Sequence, residues 1–119
     1  MSKVLIIASI VIVLGLIYYL FPLIAVIGVS MYPTYKDGEI IVGRRLYRKS
    51  KLKVGDVIIY KSPTDKKVVI KRIHDIIGDS RRPRFFCLGD NPDYSYDSRN
   101  YGYVSSKNLV CRVIKQRRK

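Results

Sequence analysis

Ser30, Lys71 and His74 are the residues of this chain whose types and surroundings could carry out acyl transfer. Ser30 lies in Gly28-Val29-Ser30-Met31-Tyr32-Pro33-Thr34, where Pro33 stiffens the backbone and Gly28 allows close backbone approach. A serine hydroxyl is a poor nucleophile until a base takes its proton, and a nearby N–H must meet the oxyanion that develops. Two bases compete. His74 is the only histidine, so a Ser-His-Asp arrangement would have to use it. Lys71 lies in Val68-Val69-Ile70-Lys71-Arg72-Ile73. As a strand, this run puts Val69, Lys71 and Ile73 on one face and Val68, Ile70 and Arg72 on the other. Burial between β-branched neighbours lowers a lysine's pKa, and a shift from about 10.4 to about 7.5 takes roughly 4 kcal/mol. The neutral amine would then serve as a general base. A snorkelling or edge-strand lysine fits the same spacing. Lys71 and His74 are out of phase in one strand, so they cannot both face one site, and the spacing leaves the choice open.

A second polar constellation runs from Gly89 to Gly102: Gly89-Asp90-Asn91-Pro92-Asp93-Tyr94-Ser95-Tyr96-Asp97-Ser98-Arg99-Asn100-Tyr101-Gly102. An ordinary loop would draw on Gly, Ser and Asn in no set order. This one is arranged to hold an Asp, an Arg and two hydroxyls in fixed relation. Cys87 and Cys111, the only cysteines, each sit in an apolar strand-like run and read as two buried thiols. No spacing calls for a metal, and no cofactor is expected.

The elements that must position these residues begin with an apolar segment. No charged residue occurs between Val4 and Tyr35, and residues 4–21 form an apolar run broken only by Ser9 and Gly15. As a helix this run spans roughly 27 Å, close to a hydrocarbon core. Tyr18 and Tyr19 suit the interface, and Pro22 bends or ends the helix. The run is too long for a cleaved leader, has no Ala-x-Ala after it, and lacks the polar face of a core helix. It reads as a membrane anchor that could extend to about residue 27, after a short tail over 1–3. The remaining chain, about 98 residues, suffices for one modest domain, assigned to 28–114. Strands are expected over 39–43, 57–60, 67–73, 85–88 and 109–114, separated by Gly, Asp and Pro turns, with no second helix. This pattern indicates an all-β domain behind one transmembrane helix. The net charge is +14, nearly all after residue 35, and residues 115–119 read as a basic tail. Such a balance favours an anionic partner. With an anchor present, the lipid surface is a more economical partner than nucleic acid.

Four boxes carry a family resemblance. Residues 28–34 resemble the nucleophile box of type I signal peptidases, x-x-Ser-Met-x-Pro-Thr. Leu52-Lys53-Val54-Gly55-Asp56-Val57-Ile58 resembles the Gly-Asp box that follows it. Val69-Ile70-Lys71-Arg72-Ile73 matches the box with the catalytic lysine, trailed by Gly78-Asp79, and residues 89–102 match the last box. The boxes occur in the family's order behind an N-terminal anchor. The archaeal and endoplasmic-reticulum branch has His at the Lys71 position, so the resemblance is to the bacterial or mitochondrial Ser-Lys type, with the signal-peptidase/LexA-like β fold. It implies an endopeptidase that removes N-terminal signal peptides from exported pre-proteins through an acyl-enzyme, after small residues at the −1 and −3 positions. In that role Ser30 is the nucleophile and Lys71 the general base. Ser95 orients the Lys71 amine. Asp97 and Arg99 form an ion pair that holds the loop, supported by Ser98 and Asp90, and the Ser30 N–H is one oxyanion donor. Met31 and Tyr32, with apolar residues 21–27, are expected at the substrate and membrane rim. The implied partners are signal peptides and the bilayer, with association with the secretion machinery, and no nucleic acid.

Some features depart from the family pattern. Gly28 stands where some bacterial members have a serine that adds an oxyanion donor. Only residues 74–88 separate the lysine box from the last box, leaving no room for the large β insert of many bacterial enzymes. The Asn91-Pro92 variant also occurs in small specialised maturation proteases of the superfamily. A LexA-like self-cleaving regulator and an inactive basic membrane adaptor are the remaining alternatives. Lys36, Arg44 and Arg45 outnumber Lys3 and the amino terminus, which by the positive-inside rule would keep the domain in the cytoplasm. The implied activity requires the extracytoplasmic side of a bacterial plasma membrane or its mitochondrial inner-membrane equivalent.

Overall fold

A computed structural model describes residues 2–45 and 47–114. The expected basic tail at 115–119 lies outside the described residues. Helix α1 spans Lys3–Leu20 and is capped by the Ser2 hydroxyl, which accepts from the Val4 N–H. None of its residues is buried, and it is long and apolar enough to cross a membrane. Ser9 turns its hydroxyl back onto the Leu5 carbonyl at 2.8 Å, so its one internal polar side chain is satisfied within the helix. The helix does not run on to residue 27. The chain turns at Pro22 and forms strand β1, Leu23–Ala25, so the β domain starts before residue 28. The apolar run there misled because a short strand, half packed on the core, has the same composition as the end of an anchor.

The remaining strands are β2 (Ile40–Arg44), β3 (Val57–Lys61), β4 (Val68–Ile77), β5 (Arg84–Leu88), β6 (Val104–Ser105) and β7 (Leu109–Val113). They form one sheet in the order β1-β2-β7-β3-β4-β5-β6, with every pairing antiparallel. A one-turn helix α2, Ser98–Tyr101, not expected from the sequence, interrupts the loop between β5 and β6. Side chains alternate along β3 between two apolar clusters. Val57 and Ile59 join Val26, Met31, Tyr35, Ile41, Cys111 and Val113. Ile58 and Tyr60 join Leu52, Ile73, Phe85, Cys87 and Val104. Each fully buried aliphatic or aromatic side chain stabilises the domain by about 1.5–3 kcal/mol. Cys87 and Cys111 are buried free thiols in different clusters, as the sequence suggested.

Candidate active site

Strand β4 continues past its expected end to Ile77, but its pairing with β5 slips between Ile73 and Asp75. The slip, a β-bulge, falls at His74 and leaves that residue exposed, its ring centroid 6.5 Å from that of Phe86. Lys71, before the bulge, is only 4 % exposed. It pairs across the ladder with Ile58, a residue of the second cluster. Its Nζ donates to Ser30 Oγ at 2.8 Å, so two residues 41 apart in sequence meet. Burial lowers the Lys71 pKa, against an opposing pull from the Asp97 charge. An amine in hydrogen-bond reach of a hydroxyl, its deprotonation eased by burial, can take the hydroxyl proton when neutral.

Ser30 is held by the chain after β5. The Asn91 N–H donates to the Ser30 carbonyl at 2.8 Å, and the Asn91 side-chain amide to the Val29 carbonyl at 3.0 Å. Gly89 makes this approach possible: a Cβ there would lie 2.2 Å from Ser95 Oγ and 2.7 Å from the Ser30 carbonyl oxygen. Close approach thus belongs to Gly89 and not, as expected, to Gly28. Nothing lies within 4 Å of a Cβ built at Gly28, whose φ of +90° is what calls for glycine. The Gly28 N–H is taken by Asp37 at 2.8 Å. Met31 is no rim residue: it is fully buried in the first cluster, where its apolar chain belongs. Tyr32 is half exposed. A cavity of about 160 Å³ opens beside the pair, lined by Ile24, Ala25, Ile27 and Ile70 around Ser30 and Lys71.

Two carboxylates tie the segments around this pair. Asp97 is fully buried and accepts from Arg99 Nε at 3.0 Å and Nη2 at 2.9 Å, from the Gly89 N–H at 2.9 Å and from the Ser95 hydroxyl at 2.7 Å. Desolvation works to raise its pKa, but these donors prevail and hold it at about 2. The Ser95 hydroxyl donates to Asp97, and the Lys71 amine donates to Ser30. The expected bond between Ser95 and the Lys71 amine is not formed among the described residues, although Ser95 Oγ keeps lone pairs that could accept one. Ser98 Oγ accepts from the Cys87 N–H at 2.8 Å and ties α2 to β5.

Asp90 serves a different set of partners. It accepts from Arg72 Nε at 2.9 Å and Nη2 at 2.8 Å, and from the Thr34 hydroxyl at 2.6 Å. Arg72 also donates to the Gly55 carbonyl at 2.7 Å. Thr34 and Arg72 lie inside motif boxes but carried no assigned role. For Arg72 the signal was its alternation with Lys71, which puts it on the opposite face of the strand. Another residue without an assigned role is Arg45, which holds the end of α1. Its N–H donates to the Leu20 carbonyl at 2.9 Å and its Nε to the Tyr19 carbonyl at 2.8 Å, with the guanidinium 4.9 Å from the Tyr19 ring centroid.

The sequence model of the family described as signal peptidase, peptidase S26, matches residues 1–80. The chain belongs to this family. The match takes in α1, Ser30 and Lys71. Among curated relatives, Signal peptidase I V of Bacillus subtilis (strain 168) is 28 % identical over 70 % of this chain and 77 % of its own length. Mitochondrial inner membrane protease subunit 1 of Schizosaccharomyces pombe (strain 972 / ATCC 24843) is 32 % identical over 81 % of this chain and 73 % of its own. The Bacillus alignment runs over 131 positions, more than the 119 residues here, so that protein has residues with no counterpart in this chain. This family member is a signal-peptidase-like protease.

Proposed function

We propose that this peptidase cuts N-terminal signal peptides from pre-proteins with Ser30 as nucleophile and Lys71 as general base. The observation that supports this most directly is the 2.8 Å contact of Lys71 Nζ with Ser30 Oγ at a site that disfavours the charged amine. Lys71 takes the Ser30 proton as Oγ attacks the scissile carbonyl. It returns that proton to the departing amine, leaving an ester on Ser30. It then takes a proton from water, which attacks the ester, and passes that proton to Ser30 Oγ as the new carboxyl end is released. The Ser30 N–H donates no hydrogen bond to another described residue and so is free to meet the oxyanion. The small apolar cavity suits short side chains on the acyl side of the cut. Exposed Ile27, Leu23, Tyr32 and Val68 form an apolar rim where a membrane-embedded substrate would approach. Cutting signal peptides in this way places the domain on the extracytoplasmic side. Arg45, in closing the end of α1, gives one of the basic residues near the helix a structural reason unrelated to orientation.

A cleavage assay on a pre-protein in detergent tests this reading. Ser30→Ala and Lys71→Ala should each lose at least 10³-fold in kcat, and His74→Ala should keep wild-type rates. Because Lys71 is active when neutral and its pKa is lowered, kcat should rise with pH through a limb lying below the ordinary lysine range. Full activity in Lys71→Ala would sink the dyad.

A further inference from the structure

We infer that the cleft bounded by Arg44, Tyr47, Arg48, Lys51 and Arg112 is a binding site for the phosphate of an anionic phospholipid headgroup at the bilayer surface. The cleft encloses about 440 Å³, within the size range of small-ligand sites. Four of its five lining residues are cationic. Arg44, Arg48 and Lys51 form no ion pair among the described residues, and Arg112 reaches only Asp56, at 3.8 Å. The ladder adds an independent observation. Arg44 and Arg112 stand directly opposite each other across β2 and β7, an arrangement that repels in a bare sheet. An anion between them converts that repulsion into two attractions, and guanidinium forks match phosphate oxygens in pairs.

Position identifies the source of the phosphate. Arg44 is the immediate neighbour of Arg45, which binds the last carbonyls of α1. The cleft therefore opens beside the residue that closes the end of the apolar helix, where a lipid headgroup would lie. The rung of the sheet that carries Arg44 and Arg112 continues through Ile58 to Lys71. A lipid phosphate held here pins that rung to the membrane surface.

The test uses the full chain in a non-ionic detergent, titrated with dihexanoylphosphatidylglycerol, dihexanoylphosphatidylcholine or inorganic phosphate. Binding is read as the rise in melting temperature. Wild type should bind the glycerol lipid at least tenfold more tightly than the choline lipid or free phosphate. Arg44→Gln/Arg48→Gln/Lys51→Gln should lose at least tenfold in that affinity while melting, without lipid, no lower than wild type. Arg48→Gln/Lys51→Gln, confined to exposed positions, provides the same reading should the triple variant fold poorly. Arg81→Gln/Arg82→Gln removes the same charge as this double variant elsewhere on the surface and should bind like wild type. An equal loss in this control would reduce the site to diffuse charge and overturn the proposal. Free phosphate binding as tightly as the glycerol lipid would overturn the lipid assignment.

Discussion

Asp97 and Asp90 are both carboxylates with an arginine fork, yet they do different work. Asp97 gathers donors from its own loop: Ser95, Arg99 and the Gly89 N–H are at most eight residues away in sequence. Asp90 joins segments far apart: Arg72 is 18 residues away and Thr34 is 56. The first makes a loop rigid. The second fixes the register between the segment that carries Ser30 and the strand that carries Lys71. Both pKa values are lowered against desolvation by their donors, so strength of binding alone does not distinguish them; what each carboxylate connects does.

The largest effect should come from Asp97→Ala. It leaves the Gly89 N–H and Ser95 hydroxyl without their acceptor inside the protein, at a cost of about 3 kcal/mol. For a domain of this size that lowers the melting temperature by about 15 °C. Below its melting point the variant should still cleave, because Ser30 and Lys71 remain. The contribution also has a pH signature. Asp97 is held near 2 against an ordinary value near 4, so its stabilisation is fully present above pH 4. It fades as pH falls through 4 towards 2, amounting to about 2 kcal/mol. Asp97→Asn should flatten that part of the stability curve. A wild-type acid transition in Asp97→Asn would mean that the loop is held by something else.

Asp90→Asn should show the opposite balance. Asp90 is 17 % exposed on its side chain, so the stability cost is smaller, about 1–2 kcal/mol. The carboxamide keeps one acceptor oxygen for three donors, so the tie between Thr34, four residues after Ser30, and Arg72, the neighbour of Lys71, is weakened. A misplacement of 1 Å between reacting groups costs on the order of 10²-fold, so kcat should fall 10- to 100-fold with KM little changed. A larger drop in melting temperature than Asp97→Ala shows, with kcat intact, would reverse the division of labour argued here.

The sequence revealed only part of this division. Of the Asp97 network, the Asp97–Arg99 pair came from the family resemblance, whereas the Ser95 hydroxyl and the Gly89 N–H as donors to Asp97 were not expected. Most strands were legible from their β-branched runs and turn residues, and Lys71 was placed on the correct face by alternation alone. Other features were not, the Ser95 donation to Asp97 and helix α2 among them. Strand β1 was hidden in apolar composition continuous with the helix. Met31 was placed at the rim because a motif position says nothing about which way the side chain points. The Asp90 network was invisible because no local pattern shows that Thr34 and Arg72 converge on one carboxylate, and only the folded sheet brings them together.

Thr34→Val isolates that last point, with the smallest expected effect. It keeps shape and β-branching and deletes one hydrogen bond, the 2.6 Å donation to Asp90. The Arg72 fork stays, so the carboxylate remains paired, and stability should drop by about 1 kcal/mol. If Asp90 is a register device, even this change should be read out at Ser30, as a kcat lower by severalfold with KM unchanged. If Asp90 merely neutralises Arg72, kcat should match wild type while the melting temperature alone falls. Steady-state kinetics beside a melting curve on this one variant separates the two roles, because the charge pair is the same in both proteins and only the tie to the Ser30 segment differs.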